Sequence, residues 1–308
     1  TIETLAGVLE RGEVLLDYSG GTGILAERLL PRLPDDVGIL IVDASPKFLR
    51  VALEQLGSDA RVGFRLIRFL DEARRLQTLQ EALEPPLLAR GVDAIASTNA
   101  IHLYYDLDET LRSWRSILTR GGRVHVQSGN IGVAELAEGA WIIDETVEAI
   151  SAAAERIVRA DERWAAHRVG LDDPERRNRY AALRRKFFLP VRPLGHYLEA
   201  LERAGFTIES VRHRRIEAST ADWTAFLATY HEGVLGWVGG SERVEGEPPS
   251  DEAVRDRLEL LGLAVEDVFR ARSFDAVWTY VDAAVRDGVG ARDELRAPNR
   301  VDYGSENA

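Results

Sequence analysis

The stretch Val14-Leu-Leu-Asp17-Tyr-Ser19-Gly20-Gly21-Thr-Gly23-Ile-Leu-Ala26 constrains this chain more than any other, because an apolar run passes through a glycine turn into a helical pattern. Glycines at 20, 21 and 23 permit positive φ and leave no Cβ to obstruct a ligand lying across the backbone. The helix start that follows offers free N–H groups and partial positive charge, suited to a carboxylate or a phosphate. Asp43 closes the next apolar run about twenty residues later, where a carboxylate can accept both hydroxyl protons of a ribose. A glycine turn with an acid at that distance describes a nucleoside-cofactor site.

The surrounding pattern fits such a site. Apolar runs at Val14–Asp17, Gly38–Asp43, Val62–Phe69, Val92–Thr98 and Arg123–Ser128 read as buried parallel strands. Helical patterns at Gly23–Leu33, Pro46–Leu56, Asp71–Leu83 and Asp108–Leu118 alternate with them. Strand–helix alternation at this spacing predicts a doubly wound α/β sheet with right-handed crossovers. Beyond Asn130 the strand signals thin out. Ile131–Arg168 and Pro174–Phe188 read as long helices, Gly195–Ala204 as a crossover helix, and Phe206–Ile216 as a sixth strand. Ala221–Arg272 is helical again, broken by the turn-rich Gly239–Pro249, and Phe274–Val281 reads as a seventh strand. The expected organisation is a core over residues 1–130, a helical cap over 131–190, and the end of the sheet over 191–287 with a second helical insertion at about 219–272. A flexible tail at 288–308 completes it.

Composition limits the partners. With 51 acidic against 39 basic residues the formal charge is −12, which repels phosphate backbones, so no nucleic-acid partner is expected. The basic run from Arg176 to Lys186 reads as a solvated helix face. No cysteine is present, which excludes disulfides, thiolate metal sites and a cysteine nucleophile. Six histidines without an H-x-x-x-H pair predict no metal. No apolar run approaches the roughly 20 residues of a membrane helix and no signal pattern opens the chain, so a cytoplasmic protein without a membrane partner is expected. The chain opens at Thr1, a dozen residues before its first strand, and a preceding segment is an expectation; methionine is absent without a physical reason.

The turn Asp17-Tyr18-Ser19-Gly20-Gly21-Thr22-Gly23 resembles the first motif of class I S-adenosylmethionine-dependent methyltransferases, an acid at the strand end followed by G-x-G-x-G, with Ser19 where the first glycine is usual. Further stretches resemble that family in order: Ile39 to Pro46 with Asp43 and Ala44, Phe69-Leu70-Asp71 after the third strand, Val92 to His102 with Asn99 and Ala100, and Leu118 to Val124. The resemblance implies a Rossmann-like seven-stranded doubly wound sheet with helical cap insertions. It also implies S-adenosyl-L-methionine as cofactor and methyl transfer to a small-molecule acceptor. Asp17, Ser19, Gly20, Gly21, Gly23, Asp43, Ala44, Phe69, Leu70, Asp71, Asn99 and Ala100 would then contact the cofactor, with Asp71 accepting from the adenine amino group.

For the chemistry, His102 follows the fourth strand at the mouth of such a site and is the candidate proton acceptor, with Tyr104 and Tyr105 beside it. Trp141, Tyr180, Arg192, His196, Tyr197, Tyr230 and His231 are candidate acceptor contacts, and Arg192 would suit an acceptor carboxylate. Two other readings compete. Gly21-Thr-Gly23-Ile-Leu-Ala26 also satisfies the dinucleotide fingerprint of a nicotinamide-dependent oxidoreductase, although no Y-x-x-x-K pair accompanies it. A non-catalytic binding module with the same fold is the third. Oligomeric state stays open, a homodimer included.

Overall fold

A computed structural model describes residues 1–270 and 272–286. Seven strands form the main sheet: β1 Val14–Tyr18, β2 Gly38–Asp43, β3 Val62–Leu66, β4 Val92–Thr98, β5 Leu118–Ser128, β6 Phe206–Ser219 and β7 Ser273–Val285. Their order is β6-β7-β5-β4-β1-β2-β3, with the short segment Ala140–Trp141 added beside β7. All neighbours from β3 to β5 run parallel, while β7 is antiparallel to both β5 and β6. The chain moves outward through β1, β2 and β3, then returns to place β4 against the other side of β1. Strand order therefore reverses between β1 and β4, where a crevice opens at the carboxyl ends.

Alternation along the strands feeds two cores. Leu15, Ile39, Ile41, Ala94 and Ala96 pack under the N-terminal helix α1 (Ile2–Val8), α2 (Ile24–Leu29) and α3 (Pro46–Leu56). Leu16, Val42, Ile95, Val124 and Val126 face the opposite way, under α4 (Leu107–Ile117), which carries the buried Trp114. Pro46 at the first turn and Ser45, whose Oγ accepts from Phe48 N–H at 3.3 Å, start α3 where the sequence predicts.

Three expectations need correction. The stretch 71–83 is not one helix: Phe69–Leu70 pairs antiparallel with Arg75–Leu76 around a left-handed Arg74, and only Leu79–Ala82 is helical. That short helix starts where the Glu81 carboxylate accepts from Thr78 N–H at 2.8 Å and stops before Pro85-Pro86. Nor is 131–168 one helix. Gly132 sits in a two-residue strand against Arg192–Pro193, Gly139 is left-handed, and α5 begins only at Glu145, running to Ala160. Asp161 breaks the continuation, its side chain capping the next turn before α6 (Ala165–Asp172). Finally, β6 runs past Ile216 to Ser219 because it stays paired with β7 beyond the end of β5, and β7 runs past Val281 to Val285 because Asp282–Ala284 pair with Arg123–His125 of β5. The candidate tail at 288–308 lies outside the described residues.

That long ribbon explains where the insertions go. Ser128 at the end of β5 is level with Thr279, whereas β6 and β7 remain paired to Ser219 and Ser273. The insertion between them therefore leaves the sheet on the carboxyl side. Its helices α9 (Thr220–Thr229), α10 (His231–Leu235) and α11 (Asp251–Phe269) share one apolar core with α5, α6 and α7 (Pro174–Phe187), built from Ile150, Val158, Leu183, Leu227, Leu260 and Leu261 among others. Two segments far apart in sequence thus make one helical body beside the strand ends. α8 (Leu194–Arg203) lies with α4 on the sheet, its buried Tyr197, Ala200 and Leu201 in the same core as Trp114. Three arginines of the basic run are engaged in ion pairs, Arg176 with Glu245, Arg177 with Glu155 and Arg184 with Glu148. Among the described residues no helix is long and apolar enough to cross a membrane.

Candidate cofactor and acceptor site

The glycine turn crosses the carboxyl end of β1. Ser19, Gly21 and Gly23 all take positive φ, at 60°, 59° and 84°. Gly20 does not, but it lies so close to its neighbours that an added Cβ would sit 2.6 Å from Asp17 Oδ2 and 2.9 Å from the Ile41 side chain. The turn is pinned from β2: Gly20 N–H donates to Val42 O at 3.1 Å, and Gly21 N–H donates to Asp43 Oδ2 at 2.9 Å. Asp43 Oδ1 accepts from Ser45 N–H at 2.7 Å. Asp43 thus holds the turn in place while each of its oxygens retains a further lone pair.

Asp17 is fully buried beneath this turn, and neither carboxylate oxygen has a hydrogen-bond partner among the described residues. Burial, with the Asp43 carboxylate nearby, raises its ionisation to about 7. A buried carboxyl group without partners is costly unless a cation compensates it. S-adenosylmethionine carries an ammonium and a sulfonium, so the acid beneath the turn, the Cβ-free backbone and the Asp43 carboxylate on the next strand all fit that group.

β4 ends beside β1, and its end is strained in the same way. Asn99 has φ 53°, its N–H donates to Gln127 O at 2.6 Å, and its Oδ1 accepts from Gly129 N–H at 3.3 Å. Ala100 is buried behind it. The following turn, Ile101–Leu103, links two regions. On one side Tyr104 reaches the glycine turn, its hydroxyl 2.8 Å from Ser97 Oγ and donating to Ser19 Oγ at 3.3 Å, with Tyr18 and Trp114 packed edge-on around the ring. On the other side His102 lines a cavity of about 570 Å³.

That cavity lies where the strand ends meet the helical body. Asn99 and His102 come from the end of β4, Asn130 from the end of β5, and Trp278 from β7. Asp144, Phe187 and Phe188 come from the first insertion, and Trp223, Phe226 and Tyr230 from the second. A chain of hydrogen bonds organises its polar wall. His102 Nδ1 lies 3.0 Å from Ser128 Oγ, which accepts from Asn130 N–H at 3.0 Å. Asn130 Nδ2 donates to Asp144 Oδ2 at 2.5 Å, and Asp144 N–H donates back to Asn130 Oδ1 at 3.1 Å. Burial lowers His102 to about 4, so its ring is neutral at pH 7, and burial raises Asp144 to about 7.

Of the residues singled out in the sequence, the structure brings Asn99, His102 and Tyr230 together on this cavity. Others lie elsewhere. Tyr105 is 84% exposed and points away, while its neighbour Tyr104 is the one engaged with the turn. Trp141 packs edge-on against Phe269, and the Tyr180 hydroxyl donates to Glu245 beside a separate, smaller cavity. His231 contacts the buried Arg257 at 2.8 Å. Arg192 and His196 contact each other at 3.3 Å, and Tyr197 is buried in the sheet core. Phe69, Leu70 and Asp71 stand on the small hairpin after β3, Phe69 and Asp71 exposed, and Ala44 is exposed at the end of β2. Asn130, Asp144, Phe187, Phe188, Trp223, Phe226 and Trp278 were not apparent from the sequence. Asp144 falls there inside the helix expected over 131–168.

Residues 16–124 match the family model described as a methyltransferase domain. The fold is shared with a proposed methyltransferase from Bacillus halodurans C-125, at 14% identity and a TM-score of 0.52 over 92% of this chain and 97% of that one. It is shared with the YcgJ protein of Bacillus subtilis, at 15% identity and 0.51 over 93% and 98%. The [4+2]-cyclase SpnF is a third, at 17% identity and 0.50 over 94% and 80%, and its name shows that this fold alone does not select one reaction. No curated protein matches the chain. Residues 16–124, with the glycine turn and its two acids, are thus similar to a methyltransferase domain, on a fold shared with S-adenosylmethionine-dependent methyltransferases.

Proposed function

We propose that this protein transfers the methyl group of S-adenosylmethionine to a small-molecule acceptor held in the cavity lined by His102, Asn130 and Asp144. Residues 1–130 form its cofactor-binding part, and the insertions at 131–190 and about 219–272 close over the acceptor. The observation that carries this reading is the fully buried, partnerless Asp17 beneath a turn whose Gly20 has no room for a Cβ.

Asp17, Ser19, Gly20, Gly21 and Gly23 would hold the amino-acid end of the cofactor, and Asp43 with Ala44 its ribose. Phe69, Leu70 and Asp71 would border the adenine, with Asn99 and Ala100 at the junction with the acceptor. When bound, the cofactor supplies an electrophilic methyl group on a positively charged sulfur, a good leaving group. The protein's remaining tasks are alignment, exclusion of water and handling of the acceptor's proton. The Ile101–Leu103 turn suits alignment, because Tyr104 anchors it to the glycine turn while His102 faces the acceptor cavity. The neutral His102 ring is an orienting or accepting group.

Calorimetric titration with S-adenosylmethionine, S-adenosylhomocysteine, NAD and NADP tests the reading. Binding of the first two and not of the nicotinamides is expected. Tight NAD or NADP binding without S-adenosylmethionine binding overturns it in favour of an oxidoreductase. Cofactor binding with no turnover over a broad acceptor panel favours a non-catalytic module.

A further inference from the structure

The acceptor cavity has an unusual balance of side chains. Six aromatic rings line it: Phe187, Phe188, Trp223, Phe226, Tyr230 and Trp278. Three carboxyl groups join them, Asp144 at the start of α5 with Glu217 from the ribbon and Asp222 from α9. Among the described residues, no lysine or arginine lines it. Arg243 lies over the Phe187 ring at 5.0 Å, and Arg192 is held against His196, but neither lines the cavity.

We propose that the acceptor is an amine, bound as its ammonium between Asp144 and the aromatic wall, and that Asp144 takes its proton before methylation. This deepens the methyltransferase reading above and rests on it.

Three arguments converge. An acceptor carrying a carboxylate or phosphate would meet three carboxyl groups and no cation, so the cavity selects against it. A cation instead compensates Asp144 and gains from the faces of Trp, Tyr and Phe rings, an attraction that grows with desolvation. The third is positioning. The paired hydrogen bonds with Asn130 fix the Asp144 carboxylate through Oδ2 and the backbone, and no hydrogen bond engages Oδ1 among the described residues. Its resting ionisation near neutrality, raised by burial, lets the same group hold an ammonium and accept its proton. The proton passes from the ammonium nitrogen to the carboxylate, and the nitrogen keeps the electron pair it needs as a nucleophile.

The test uses the full chain and three probes of one shape: phenethylamine, 2-phenylethanol and hydrocinnamate. Affinity for S-adenosylhomocysteine is measured first, and its absence would count against the methyltransferase reading alone. The probes are then titrated calorimetrically at pH 8, with and without S-adenosylhomocysteine, so the amine question is answered in either case. We expect phenethylamine to bind at least ten-fold more tightly than the alcohol, and hydrocinnamate more weakly than both. Asp144→Asn should bring the amine down to the alcohol's affinity while leaving S-adenosylhomocysteine affinity within about two-fold. An alcohol or carboxylate bound as tightly as the amine, no binding by any probe, or an unchanged amine affinity in Asp144→Asn overturns the proposal. The three-probe comparison on the unsubstituted chain decides the matter even where that variant does not fold.

Discussion

Ser19 and Asn99 stand at the carboxyl ends of the neighbouring strands β1 and β4, and both hold left-handed backbone, at φ 60° and 53°. Neither is a glycine, so each conformation costs on the order of 1–2 kcal/mol. Strain at adjacent strand ends, on the crevice where strand order reverses, marks the place where the fold gives up stability to shape a surface.

Ser19 is where glycine is usual in the resembling motif, yet its backbone takes the glycine conformation. Ser19→Gly should therefore raise stability by about 1 kcal/mol, less any loss from the Tyr104 hydrogen bond. Chemical denaturation with a cofactor titration checks this. A lower denaturation midpoint would show that the Tyr104 contact outweighs the relief.

Gly20→Ala places a methyl group within 3 Å of Asp17 Oδ2 and of the Ile41 side chain. Overpacking of this kind costs about 1–3 kcal/mol. The turn must shift, and S-adenosylmethionine affinity should fall at least ten-fold in calorimetry. An unaltered affinity would mean that the turn does not lie against the cofactor.

Asp17 predicts a pH dependence. Its ionisation is raised from 3.8 to about 7 in the folded chain, so the native state holds a proton that the unfolded state has released. Stability should fall as pH rises from about 4 towards 7 on this account, with a ceiling on the order of 4 kcal/mol. Asp144 slopes the same way, whereas His102, lowered to about 4, contributes stability that is lost as pH falls below 6.5. Between pH 6.5 and 8 the Asp17 contribution is still being lost, and Asp17→Asn should flatten the decline in thermal midpoint there. Wild-type affinity for the cationic cofactor should rise over that interval, and the variant's should not.

Asp43→Ala removes two charge-assisted hydrogen bonds to the backbone along with the carboxylate proposed to bind the ribose. Cofactor binding should weaken by about 1–3 kcal/mol. Asp43→Asn, which keeps an acceptor on one side, should lose less; equal losses would assign the effect to charge.

Tyr105 and His102 separate exposure from function. Tyr105→Phe should leave turnover with an accepted amine unchanged, since the ring stands in solvent. His102→Ala should lower turnover while cofactor affinity holds. The reverse pattern in kinetics would exchange their roles.

The strands, the glycine turn and Asp43 were legible in the sequence because each depends on neighbours within about one crossover. Apolar runs, a Cβ-free turn and an acid at a strand end are local signals with fixed periods. The chain by itself also carried the family resemblance and the expectation of two helical insertions. Where signals competed locally, the reading failed: a left-handed Arg74 and the Thr78–Glu81 contact turned an apparent helix at 71–83 into a hairpin and a single turn. Only the tertiary structure decided which aromatics are core and which face a cavity. Trp278 lies 55 residues from Trp223 and Phe187 lies 36 from it, and each has a helix or strand pattern that burial of either kind would satisfy. Only the tertiary structure, too, turned the N-cap Asp144 into a carboxyl group clasped by Asn130, because desolvation depends on everything folded around it.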